Sequence, residues 1–219
     1  MVQRATVPRG RHAPPLEVRL SVQRRRLFEA AAEVFSRVGY AEASAEAIAR
    51  EAGMSKATFY EHFANKEECI LALFDEAANE LLRAMSEAAD AANGDPEARW
   101  RAGTRAFLDM FAQHPTWAHT LLVEILAAGE RGAERRDRVL ALFARVLDRE
   151  NAAAARAGLA PRFASPHDAF ALVGATFELV SRQIRLGVPE DVHDLEPLLE
   201  RLAAGLLAVP EFVEWSQAS

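Results

Sequence analysis

The sequence predicts an all-α chain of about nine helices, and three observations carry that prediction. Apolar residues recur at three- and four-residue spacing along most of the chain. No stretch alternates apolar and polar residues long enough for a convincing strand. Helix stop and start signals (Gly behind, Ser, Asp or Pro in front) divide the periodic segments into helix-sized pieces.

The elements follow in order. Residues 1–20 are rich in Arg and Pro and are expected to form a flexible basic tail. A first helix is predicted over about 21–38, with Leu27, Ala31, Val34 and Val38 in one stripe, Phe28 and Phe35 widening it, and Gly39 ending it. Ser44 can cap a second helix, about 45–52, in which Glu46 and Arg50 are spaced to pair. After the turn "AGMS", Ser55 can cap a third, about 56–63. A fourth runs over about 66–91, ending near Asn93-Gly94. Asp95-Pro96 starts a fifth, to about Gln113. His114-Pro115 restarts the chain as a sixth helix reaching Ala128. "GERG" is read as a break before a seventh, about 133–157. Ser165-Pro166 caps an eighth, to about Leu186, and a ninth spans about 194–208. The ending "VPEFVEWSQAS" either docks through Phe212 and Trp215 or frays.

Composition narrows the function classes. Half of the 219 residues are hydrophobic and 26% are charged, enough for a packed core. The single cysteine, Cys69, excludes an internal disulfide and a CxxC metal site, and reads as a small buried apolar residue. No run reaches the roughly 18–20 apolar residues of a membrane span, and "MVQRATVPRGRHAPPLEVRL" has no apolar signal core. A soluble, cytoplasmic protein without a membrane partner is expected. The net charge is −6 but uneven: residues 1–66 hold 11 Lys and Arg against 7 Asp and Glu, while residues 67–219 carry −10. Only the front is suited to a polyanion.

Two short helices across a Gly-containing turn have the form of a helix-turn-helix. Ile48, Phe59 and Phe63 can seat the third helix on the first, which leaves Lys56, Ala57, Thr58, Tyr60 and Glu61 facing outward. Ala57 is small enough to approach bases closely, and Lys56 or Thr58 can reach base edges or phosphates. Tyr60, His62 and Lys66 carry donors suited to phosphate oxygens, and Arg24, Arg25 and Arg26 add charge. Lys66 opens the fourth helix, where a cation is unfavourable unless an anion is near. The alternative is a three-helix core with a solvated polar face.

The segment "RRRLFEAAAEVFSRVGYAEASAEAIAREAGMSKATFYEHFANKEE" resembles the DNA-binding domain of the tetracycline-repressor (TetR) family of transcriptional regulators, over about residues 23–70. The likeness lies in the first helix ending in "GY", the "IA..AG" of the second, and the "S..T.Y.HF..K" of the third and its exit. Past residue 70 only the helical layout is similar. The resemblance implies a helix-turn-helix domain over 21–66 and a ligand-binding and dimerisation domain over 67–219. It implies DNA contacts at Ser44, Ser55, Lys56, Thr58, Tyr60, His62 and Lys66. Ala57 stands where the family often has Gly, Ser44 where it has Thr, and Phe59 where it has Leu.

In the back two thirds, Trp100, Phe107, Met110, Phe111, Trp117, Leu121, Phe143 and Phe177 either line a pocket for an apolar or aromatic effector or form plain core. Glu124, in apolar "LLVEIL", either holds a cationic or hydroxylated ligand or lies on an exposed edge. Phe170, Val173, Gly174, Phe177, Val180 and Ile184 of the eighth helix form one stripe. Leu195, Leu198, Leu199, Leu202 and Leu206 of the ninth form another. These stripes serve a homodimer interface or pack inside one subunit. His114 and His119 lack a third metal ligand, and no GxSxG, P-loop, GxGxxG or HExxH motif is present. Most carboxylates are spaced for helical pairs such as Glu33–Arg37 and Glu178–Arg182.

The expectation is a one-component regulator without cofactor or metal. It would bind a pseudo-palindromic double-stranded operator as a homodimer, most readily as a repressor, and be released by a small apolar effector. The alternatives are a dimeric DNA-binding regulator without an effector, and an all-helical enzyme that uses the helix-turn-helix as scaffold.

Overall fold

The computed structural model describes residues 15–92 and 95–207, so the expectations for the basic tail up to residue 14, for Asn93-Gly94 and for Phe212 and Trp215 fall outside the described residues. Among the described residues there are nine α-helices and no strand. They are α1 (Leu16–Glu42), α2 (Ala45–Glu51), α3 (Lys56–His62), α4 (Lys66–Ala91), α5 (Pro96–Gln113), α6 (Pro115–Leu122), α7 (Gly129–Arg156), α8 (Pro166–Leu186) and α9 (Glu196–Leu207), with 3-10 segments at Glu124–Ala128 and Val192–Leu195.

Four predicted boundaries shift, each for a local reason. α1 starts five residues before Ser21, because nothing after Pro15 breaks a helix and Glu17 suits its first turn. Gly39 does not end α1. It kinks the helix at φ 77°, ψ 160°, and a short final turn follows. The sixth predicted helix splits: α6 stops at Leu122 and a 3-10 turn continues. "GERG" does not break the chain, since α7 begins at Gly129 and contains Gly132. A Cβ at Gly132 would collide with the Ile125 carbonyl, so this glycine permits close packing of α7 on the 3-10 turn.

One continuous core joins the N-terminal helices to the body. Leu27, Ala31, Val34 and Phe35 of α1 are buried with Ile48 and Phe59 beneath them, while α4 contributes Cys69, Ile70, Leu73 and Phe74. Burial pushes the Cys69 thiol up to about 12. In the body, Phe111, Phe107, Phe177 and Phe143 form a chain of edge-on rings with successive centroids 4.8, 5.4 and 5.4 Å apart. Three helical ion pairs expected from spacing do not form: Glu46 pairs instead with Lys56 of α3, Arg37 with Glu51 of α2, and Glu178 with Arg185 further along α8.

The surfaces of α8 and α9 divide otherwise than one stripe each. Val173, Phe177, Val180, Leu195 and Leu199 are buried within the single chain, Val180 and Leu199 completely, and so are not available to a second copy. Phe170 is 44% exposed, and Gly174, Ile184, Leu198, Leu202 and Leu206 are half-buried.

Candidate nucleic-acid interface

α3 is short and would not hold its shape alone. It is fixed from both ends and from beneath. Ser55 accepts the Thr58 backbone N–H at 3.0 Å as N-cap. Phe59 is fully buried, and Phe63, just past the helix, stacks 5.5 Å from Phe28 of α1 and from Phe59. α2 is set likewise: Ser44 caps it through the Ala47 N–H, Ile48 is fully buried, and Arg26 of α1 donates to the Ala52 carbonyl at its end.

This leaves an outward row. Ser55, Lys56, Ala57 and Tyr60 are exposed, Tyr60 at 49%, and Thr58 is half-buried beside them. The Ser55 and Thr58 hydroxyls lie 2.9 Å apart; when Thr58 donates, the Ser55 O–H stays available to an acceptor outside. Lys56 faces Glu46 at 3.7 Å, an exposed pair worth well under about 1 kcal/mol and easily exchanged for a phosphate. Ser44 is exposed near them. His62 is half-buried, with Nε2 3.3 Å from Gln23 Oε1. Burial, then the neighbouring Arg24, holds its imidazole below its ordinary pKa against the opposing pull of Glu61.

Lys66 stands differently from the rest. Its ammonium donates to three carbonyls at the end of α1, those of Tyr40, Ala41 and Ala43, at 2.8, 2.8 and 2.9 Å, and lies 4.7 Å from the Tyr40 ring centre. The cation at the start of α4 is answered by the negative end of α1 and needs no phosphate to balance it. The three arginines also divide. Arg24 stacks over Phe28 and Phe63 at 4.9 and 5.0 Å, Arg26 is tied to Ala52, and Arg25 is exposed. Gln23, the partner of His62, carries no signal in the sequence, since nothing in its spacing tells that α1 runs past the end of α3.

The expected pocket residues separate. Met110, Phe111, Trp117 and Leu121 meet around an apolar void of about 20 Å³ that Leu81 and Ala118 also line. Phe107, Phe143 and Phe177 belong to the ring chain of the core, and Trp100 is half-buried on α5. Glu124 takes neither of the places expected of it: its Oε2 accepts the Tyr40 backbone N–H at 2.6 Å, at the junction of the first helices with the body. A second, open cleft of about 510 Å³ lies between α1–α2 and the α5–α6 corner, bordered by Glu29, Glu33, Glu51 and Trp117. Among the described residues no three His, Cys, Asp or Glu stand together as metal ligands, and no helix is long and apolar enough to cross a membrane.

Residues 27–73 match the family described as bacterial regulatory proteins, tetR family. The chain is 35% identical over 102 residues to the transcriptional activator FasR of Mycolicibacterium smegmatis, covering 47% of this chain and 46% of that one. It is 36% identical over 75 residues to the transcriptional regulator EthR of Mycobacterium tuberculosis, covering 34% and 35%. It thus spans half or less of the length of these curated relatives. Among solved structures, the fatty acid degradation regulator FadR of Bacillus halodurans superposes with a TM-score of 0.75 at 20% identity, over 85% of this chain and 95% of that one. FadR of Bacillus subtilis, solved in complex with stearoyl-CoA, superposes with 0.74 at 21% identity, over 83% and 98%. These likenesses establish the fold beyond the matched segment. The matched residues form α2, α3 and the parts of α1 and α4 that seat them, so it is the helix-turn-helix segment of this chain that matches the tetR family of bacterial regulatory proteins.

Proposed function

We propose that the chain is a ligand-responsive one-component regulator that binds a pseudo-palindromic operator as a homodimer, with α3 of each copy in a major groove. The observation that carries this reading is the row Ser55, Lys56, Ala57 and Tyr60, held outward on a helix whose other face is locked by Phe59 and Phe63. Ser44, Thr58 and His62 complete the proposed contact set. Lys56 supplies salt-dependent phosphate affinity, and Ala57 lets the backbone approach the bases. The partly exposed Phe170, Gly174, Ile184, Leu198, Leu202 and Leu206 are proposed as the dimer face. Repression is the favoured direction, although one matched relative is named an activator.

The effector is proposed to be apolar and to enter beside Met110, Phe111, Trp117 and Leu121. A void of about 20 Å³ is far below the roughly 300–1,000 Å³ of a ligand site, so binding requires a more open conformer. Stearoyl-CoA, the ligand named for the B. subtilis neighbour, is the first compound to try, with its acyl chain as the apolar part. The same tight packing supports one alternative, a DNA-binding dimer with no small-molecule effector. The relatives are all regulators, and an enzymatic reading has no support in them.

Selection from a pool of random duplexes at low salt, followed by sequencing, tests the proposal. A two-fold-symmetric motif is expected. Retention without a motif, or no retention, removes operator binding. An unchanged affinity for the selected duplex across a panel of acyl-CoAs and aromatic compounds favours the effector-free alternative.

A further inference from the structure

The kink in α1 leaves backbone groups just after Gly39 outside the helical ladder, and side chains from two other elements satisfy them. At φ 77° and ψ 160°, Gly39 turns the Tyr40 N–H out of the helical ladder. Glu124, from the 3-10 turn between α6 and α7, accepts that N–H at 2.6 Å. Its Oε2 would lie 3.6 Å from a Cβ on Gly39, so the carboxylate rests against the bare face of the glycine. Lys66, from α4, gathers the carbonyls that follow. Two more ties surround this point. Thr120 of α6 donates to the Ala32 carbonyl of α1, and Arg131 of α7 pairs with Glu67 and Glu68 in the first turn of α4, both at 2.8 Å.

Glu124 differs from the other ties in where it acts. The Tyr40 N–H is a directional donor that the kink has left without its helical partner, and a carboxylate accepts it more strongly than a neutral oxygen. Glu124 itself belongs to a 3-10 turn, a segment with poorer hydrogen-bond geometry than the helices around it. A strong, specific bond thus runs from a 3-10 turn of the body to the kinked point of the helix that leads into α2 and α3.

We propose that Glu124 is the positioning residue that sets the orientation of the α1–α3 unit on the helical body, through its bond to the backbone at the Gly39 kink. The relevance of that orientation to DNA rests on the function proposed above, because two α3 helices must match groove positions about 34 Å apart. A shift of the 3-10 turn would then re-aim α3 without any change inside α3 itself.

The test compares full-length wild type, E124Q and E124A. Gln keeps an acceptor but loses the charge; Ala removes both. Amide exchange at Tyr40, read by NMR, is expected to quicken in the order wild type, E124Q, E124A, by at least tenfold overall, while Phe35 stays within twofold. T120V, which removes the Thr120–Ala32 tie, is expected to leave Tyr40 within twofold. Spin labels introduced by E61C on α3 and R149C on α7 report the orientation, since Cys69 is fully buried and stays unlabelled. The label distance is expected to be at least twice as broadly distributed in E124A as in wild type. Equal Tyr40 exchange in all three proteins, or an unbroadened distance in E124A, overturns the proposal. If E124A does not fold, the Tyr40 rate in E124Q decides it alone. Neither readout involves DNA, so a wild type that binds no duplex would sink the operator reading and leave this assignment to its own result.

Discussion

Lys56 and Lys66 lie ten residues apart and illustrate how differently two cations can be used. Lys56 has one weak exposed partner, Glu46, whereas Lys66 has three carbonyls and the face of Tyr40. The two are separable by salt. If Lys56 meets a phosphate, K56A lowers the slope of log affinity against log salt by roughly 0.9 per subunit, about 1.8 for a dimer on the selected duplex. K66M is expected to leave that slope unchanged and to lower stability by about 1–3 kcal/mol, seen in a denaturant midpoint. A reversed pattern would return Lys66 to the DNA. Sequence reasoning could place Lys66 at the start of a helix but could not see the end of another helix 26 residues earlier in the chain folding onto it.

The 3-10 segment before α9 is tied to α5 by a group that titrates near neutrality. His193 Nε2 lies 2.8 Å from Asp109 and its Nδ1 2.7 Å from Asp191. Hydrogen bonds to Asp191 and then Asp109 raise the His193 pKa above its ordinary 6.5, and the bonds from His193 lower that of Asp191 below 3.8. For His193, with the folded value raised, the contribution to stability is full below about 6.5 and is lost as pH rises through the folded pKa. For Asp191, with the folded value lowered, the contribution is present above about 3.8 and is lost as pH falls through the folded pKa. The tie therefore contributes most between these limits, and stability should decline on the alkaline side of pH 6.5. H193Q is expected to flatten that alkaline decline in urea midpoints measured from pH 5 to 9; an unchanged profile would show that the tie carries no pH dependence. The ninth helix itself was legible from its leucines. The clamp was not, because Asp109 is 84 residues away from His193.

At the scale of the whole molecule, the burial of α8 and α9 decides which substitutions unfold the chain and which would only separate copies. Phe177 touches the Phe107 and Phe143 rings, so F177A is expected to cost about 3–5 kcal/mol. Phe170 points outward, so F170E should leave the melting of a monomer nearly unchanged while shifting the sedimentation coefficient from dimer to monomer. Unaltered sedimentation of F170E at micromolar concentration would take Phe170 out of the dimer face. A single sequence stripe containing both residues could not tell them apart, because helical spacing identifies an apolar face and not what covers it.

Residue order alone dictated the all-α class, the caps at Ser44, Ser55, Asp95 and Ser165, and the helix-turn-helix with its outward row, because these depend on spacing and on neighbours within one or two turns. Tertiary packing decided the rest: that Gly39 kinks α1 and does not end it, that Gly132 lies inside α7, and that Lys66 and Glu124 serve the backbone of α1. Those outcomes depend on which unsatisfied N–H and carbonyl groups come within about 3 Å of a distant side chain. Such distances exist only after the helices have packed.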